Sequence, residues 1–126
     1  MCTPPHLSPP SVSQQVLAAG MSRKKWSEVD AMASLVARVV RESGADAVVD
    51  VGSGKGALAH VLAFRHGVRV VAVDTQAPLI RHANARAARL THKLSKLRTG
   101  VGTNDNREGV HYGRTVRRER GKPCNP

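Results

Sequence analysis

The chain has 126 residues, one domain's worth at most, and its only aromatic rings of the Phe, Trp and Tyr kind are Trp26, Phe64 and Tyr112. The formal net charge is +11, and the two cysteines, Cys2 and Cys124, lie at the extreme ends with no partner at metal-ligand spacing. These features argue against an aromatic core, a disulfide framework and a Cys/His metal site; no metal is expected.

No apolar run approaches the ~20 residues needed to span a bilayer, and no apolar segment follows a basic start as a secretory signal would. A soluble, intracellular, cytoplasmic protein with free thiols is therefore expected. The charge is uneven. Up to residue 50, five Lys/Arg face five Asp/Glu; from residue 81 onward twelve face three. Such asymmetry points to an acidic partner or a basic tail.

Residues 1–19 carry Pro4, Pro5, Pro9 and Pro10 with several serines. With so little apolar content they are expected to be a disordered or extended lead. Gly20 to Trp26 then forms a basic knot around Arg23-Lys24-Lys25. This knot is either a solvated helix entry or a contact to a phosphate or carboxylate. The helix that follows places Val29, Met32, Ala33, Val36, Val39 and Val40 on one stripe. Ser22 or Ser27 could cap it, and Gly44 ends it.

Asp46 to Val51 predicts a first strand. Its valines are consecutive, as in a strand buried on both faces. Gly52-Ser53-Gly54-Lys55-Gly56 is a glycine turn, and Ala57, Leu58, Val61 and Leu62 start a second helix that Gly67 stops. Val68, Val70, Val71 and Val73 make a second strand ending at Asp74. Strand, helix, strand is a βαβ unit. Pro78 suits the first position of a last, long helix. One face of it carries Leu79, Ala83, Ala87, Leu90, Leu94 and Leu97; the other carries Arg81, Arg86, Arg89, Lys93, Lys96 and Arg98, with no acid. From Thr99 to Pro126 apolar periodicity is lost, and a basic disordered tail is expected. The fold class is thus α/β, with an ordered unit over residues 20–98 between disordered ends at 1–19 and 99–126.

The glycine turn is where a ligand is expected. Glycines let a ligand approach bare backbone, and the helix start beyond them favours polar groups. A P-loop is rejected, because Gly56 stands where the hydroxyl after Lys55 should be. A dinucleotide fingerprint is formally met by Gly52, Gly54 and Ala57, with Asp74 at the ribose-binding distance. Asp50 weighs against it. A carboxylate near the end of a buried strand is costly without a cationic partner, and a pyrophosphate would be repelled. S-adenosylmethionine offers an ammonium and a sulfonium and no phosphate.

Asp50-x-Gly52-x-Gly54-x-Gly56 together with Asp74 resembles the first two motifs of class I S-adenosylmethionine-dependent methyltransferases. Met21-Ser22-Arg23-Lys24-Lys25-Trp26-x-Glu28-Val29, then Val49 to Gly56-x-Leu58, then Val71-Ala72-Val73-Asp74, is similar to the methyltransferase-like protein 25 family over about residues 20–90. Ser27 stands where that family often has histidine. The resemblance implies a Rossmann-like fold and a cofactor site of Asp50, Gly52, Ser53, Gly54, Gly56 and Asp74. Asp74 would meet the ribose hydroxyls, Asp50 the amino-acid end, and the turn the methionine and ribose part.

The family resembles a doubly wound sheet of several strands, whereas this sequence offers two. A truncated, cofactor-binding half, inactive alone, is therefore expected, with no catalytic residue identified. Two other readings compete. One is a basic module that binds RNA through residues after 80; the other is a fragment with no stable fold.

Overall fold

The computed structural model describes residues 11–99. The order is α1 (Val12–Ala18), α2 (Arg23–Ser43), β1 (Val48–Val51), α3 (Ala57–His66), β2 (Val70–Val73) and α4 (Ala77–Thr99). β1 and β2 pair in parallel, with Val48 opposite Val70 and Asp50 opposite Ala72. The expected α/β class and the βαβ unit are both present.

Each helix boundary has a local cause. The Ser22 hydroxyl accepts from the Lys25 amide and caps α2, so Ser27 lies inside the helix. Gly44 and Gly67 end α2 and α3 in the left-handed conformation that spares them a Cβ clash. Ala77, rather than Pro78, is the first residue of α4.

The core lies between α2, α3 and the inner face of the sheet. Val29, Ala33 and Ala37 of α2 meet Ala59, Val61, Leu62 and Ala63 of α3, with Val70 beneath and Val48 and Ala72 packed at the edge. An Arg65–Asp30 ion pair ties α3 to α2. Alanines at the contact let the two helices approach closely. The expected α2 stripe is accordingly narrower than drawn: Met32 and Val39 are exposed, and Ala37 is buried in their place.

Two expectations are corrected here. The strands are not buried on both faces. Val49 is 62% and Val51 80% exposed, and Val71 and Val73 are open on the same side. Helices α2 and α3 take the face bearing Val48, Val70 and Ala72, and among the described residues nothing covers the other.

The lead is also not extended throughout. Ser11 begins α1 with a capping box, its hydroxyl accepting from the Gln14 amide while the Gln14 side chain accepts from the Ser11 amide. Leu17 is buried, and α1 packs on α4 and α3. The rest of the expected lead, both cysteines and the expected tail beyond Thr99 lie outside the described residues.

Arg86 secures this docking. Its guanidinium donates to the Ala19 carbonyl at 2.9 Å and the Leu17 carbonyl at 2.8 Å, at the carbonyl end of α1. It therefore does not belong to the solvated basic face of α4. Hydrogen bonds from charged donors contribute ~1.5–3 kcal/mol each. Arg86→Met is expected to raise hydrogen exchange in α1 at least tenfold and to leave α2 and α3 protected. Unchanged exchange over residues 12–18 would show that Leu17 alone holds the helix.

Candidate functional site at the carboxyl end of the sheet

β1 leaves the sheet at Gly52 without letting go of β2. The amides of Gly52 and Ser53 both donate to the Val73 carbonyl, at 2.8 and 3.1 Å. Gly52, Gly54 and Gly56 then take φ of +74°, +56° and +72°. A side chain in that region costs about 1–2 kcal/mol per residue, so three alternate left-handed turns require the observed glycines. The Gly56 amide closes the loop onto the Ser53 carbonyl at 2.9 Å.

Asp74 sits at the end of β2 and reaches back to the turn. Its Oδ2 accepts from the Gly54 amide at 2.8 Å, and its Oδ1 from the Gln76 amide at 2.8 Å. These amides, Gln76 first and Gly54 next, hold its carboxyl below the usual carboxylate range. One side chain thus links the first turn of the βαβ unit to the entry of α4.

Asp50 is half-buried opposite Ala72, two residues before the turn. Burial pushes its carboxyl above the usual range. No hydrogen-bond donor or basic side chain partners it among the described residues. By strand alternation Asp74 follows Ala72 on the same parity, so both carboxylates belong to the carboxyl end of one sheet.

The space around the glycines differs. A Cβ added at Gly52 or Gly54 would meet nothing within 4 Å. A Cβ added at Gly56 would lie 3.0 Å from His60 Cε1 and 3.2 Å from the Ala83 Cβ. Gly52 and Gly54 therefore present bare backbone to open space, and Gly56 is a packing joint between α3 and α4. Ser53 is half-buried between them.

The predicted site residues Gly52, Ser53, Gly54, Gly56 and Asp74 are brought together by direct hydrogen bonds or one turn of chain. His60, Ala83 and the Gln76 amide complete the support and were not anticipated. The available signal was His60 itself, a lone polar residue in the run Ala57–Phe64. The Arg23-Lys24-Lys25 knot is exposed at the start of α2, and Lys24 pairs loosely with Glu28 at 4.0 Å. No group of three or more His, Cys, Asp or Glu placed to hold a metal occurs among the described residues. No described helix is long and apolar enough to cross a membrane.

A family model described as "Methyltransferase domain" matches residues 24–116, most of the chain. The chain belongs to this methyltransferase-domain family. It is also 38% identical over 55 residues to "Probable methyltransferase-like protein 25" of Mus musculus, and equally to the Homo sapiens protein of that name. The matched stretch is 44% of this chain and 9% of each relative. No solved structure matches. Within the methyltransferase-domain chain, the family match takes in the whole glycine turn, Asp50 and Asp74.

Proposed function

We propose that this methyltransferase domain uses the glycine turn and its two carboxylates to hold S-adenosylmethionine, as the cofactor-binding part of a Rossmann-like fold. The observation that carries the reading is Asp50. It is a half-buried carboxylate raised by desolvation and left without a partner beside bare glycine backbone. A ligand ammonium would relieve that cost; a pyrophosphate would add to it.

The remaining residues fit the same ligand. An ionised carboxylate offers about four acceptor sites, and Asp74 uses two on the Gly54 and Gln76 amides. The others suit a pair of ribose hydroxyls. The open space over Gly52 and Gly54 lets a nucleoside approach where any Cβ would intrude. Ser53 and Gly56 shape the turn. When bound, the cofactor supplies an electrophilic methyl group on its sulfonium. The protein's own contribution is to orient it: Asp50 at the amino-acid end, Asp74 at the ribose.

Calorimetry separates the two roles. Asp50→Asn is expected to weaken S-adenosylmethionine about tenfold or more, the scale of a charged hydrogen bond. It should leave 5′-methylthioadenosine, which has no ammonium, unaffected. Asp74→Asn should weaken both ligands. Because Asp50 must be ionised to attract the ammonium, wild-type affinity should fall as pH drops through its raised pKa, starting above the ordinary carboxylate value of about 3.9. Heat with NAD and none with S-adenosylmethionine would overturn the proposal in favour of a dinucleotide site.

A further inference from the structure

Helix α4 carries six Lys/Arg and no Asp or Glu over residues 77–99. α2 shows the contrasting case. There Lys24 lies near Glu28 and Arg38 near Glu42, one turn on, so positive charge is locally offset. On α4 no acid of the helix itself offsets it. Arg81, Arg89 and Lys93 are exposed, and none has an acidic partner among the described residues.

The geometry of α4 concentrates these charges. At 3.6 residues per turn, Arg81, Lys96, Arg89 and Lys93 fall within roughly 120° of the helix circumference. They extend along roughly 22 Å of its axis, at 1.5 Å per residue. The opposite arc, with Ala83, Ala87 and Leu90, is buried. Arg86 is withdrawn by its bonds to the α1 carbonyls. What is left is a stiff cationic row on a helix whose apolar side is largely used inside the protein through Ala83, Ala87 and Leu90, with Leu97 exposed at its far end. That internal use separates it from a helix that lies in a membrane surface, which needs its apolar face free to insert.

We propose that this face of α4 is a docking surface for the phosphate backbone of a nucleic-acid duplex. Charge complementarity selects a polyanion. The absence of Phe, Trp and Tyr from α4 favours a duplex over a single strand, because single-strand binders add large ring platforms on which bases stack. Contacts to phosphates alone carry no sequence information, so binding is sequence-blind and strongly salt-dependent. The row begins one turn into α4, and Asp74 binds the amide just before that helix. A duplex seated there would run past the glycine turn. The docking surface itself does not rest on the cofactor reading.

The test is fluorescence anisotropy of the full chain with a labelled RNA duplex of about 16 base pairs, titrated from about 50 to 200 mM salt. In the triple variant Arg81→Gln/Arg89→Gln/Lys93→Gln, affinity should fall at least about tenfold. The slope of log affinity against log salt should drop by about 1 per cation removed, or about 3. A second triple variant, Arg117→Gln/Arg118→Gln/Arg120→Gln, removes the same charge outside α4 and should lose clearly less. All substituted α4 positions are exposed, and unchanged circular dichroism confirms that the comparison is between folded chains. Equal losses in the two variants, a preference for single-stranded RNA of the same length, or binding to phosphatidylserine vesicles without binding to the duplex would each overturn the proposal.

Discussion

Gly56→Ala is expected to lower stability by about 2–5 kcal/mol, whereas Gly67→Ala should cost only about 1–2 kcal/mol. Both glycines have nearly the same backbone, φ +72° and φ +66°. The conformational penalty of a Cβ is therefore shared, about 1–2 kcal/mol. Their surroundings differ. The Cβ at position 67 meets nothing within 4 Å, but at position 56 it meets His60 Cε1 at 3.0 Å, the Ala83 Cβ at 3.2 Å and His60 Nε2 at 3.3 Å.

Neither neighbour of Gly56 can retreat cheaply. His60 is fully buried, and its Nε2 is bonded to the Ala83 carbonyl at 3.2 Å. Because a carbonyl only accepts, Nε2 carries the proton. Moving the ring breaks that bond or drives α3 from α4. Overpacking of this kind costs about 1–3 kcal/mol, a large share of the ~5–15 kcal/mol that holds an ordinary domain. Urea midpoints of the two variants decide the matter. Equal shifts would mean that the α3–α4 contact is soft. Gly52→Ala and Gly54→Ala form the complementary pair, since their cost in the free protein is backbone strain alone and any excess loss appears in ligand binding.

The same contrast explains how much could be read before the structure. The βαβ unit was legible because its signals are local: β-branched runs, glycines at alternate positions, one acid inside the first strand and another closing the second. The α2 cap and stop were legible for the same reason. Burial on both faces of β1 was not, because consecutive valines report the environment a strand is suited to, while actual cover depends on which helices reach it. Val49 and Val51 are suited to a cover that α2 and α3 do not supply.

Long-range partners were the other blind spot. Arg86 looks like one more cation in a basic series, and only the docked end of α1 distinguishes it. That helix was hidden by the prolines before it, although the Ser11–Gln14 capping box and Leu17 were in plain view. At the site, the glycines and Asp74 were legible as candidates for ligand contact, and the structure groups them at one turn. That Asp74 also binds the Gly54 amide, and so builds the turn it was expected to serve, depends on a 20-residue separation that spacing alone does not resolve.

Between pH 7 and pH 5 the protein is expected to lose about 2 kcal/mol of stability through His60 alone. Burial, with the Arg86 charge second, pushes this imidazole down from 6.5 to about 4; the bond to the Ala83 carbonyl only partly opposes them. The sign follows from where protons bind. In the unfolded chain the ring takes up a proton near its ordinary value of about 6.5; in the folded chain it stays neutral until about pH 4. Its contribution is complete above pH 6.5 and drains away as pH falls from 6.5 to about 4, amounting to about 3 kcal/mol in full. His66 is displaced in the same direction by burial and by Arg65 and Arg41, and adds to the trend. Asp74, held low, loses its contribution only at lower pH, and raised Asp50 works in the opposite sense near the carboxylate range. Denaturant unfolding at pH 7, 6 and 5 (all approximate settings chosen to stay above that range) isolates the imidazoles. His60→Leu removes the titrating ring at a similar volume. Whatever its absolute stability, its profile should be flatter than the wild type's by about 2 kcal/mol over this interval. Parallel profiles would mean that the ring is protonated inside the fold, and the Nε2 bond to Ala83 would then be carried by an imidazolium rather than a neutral ring.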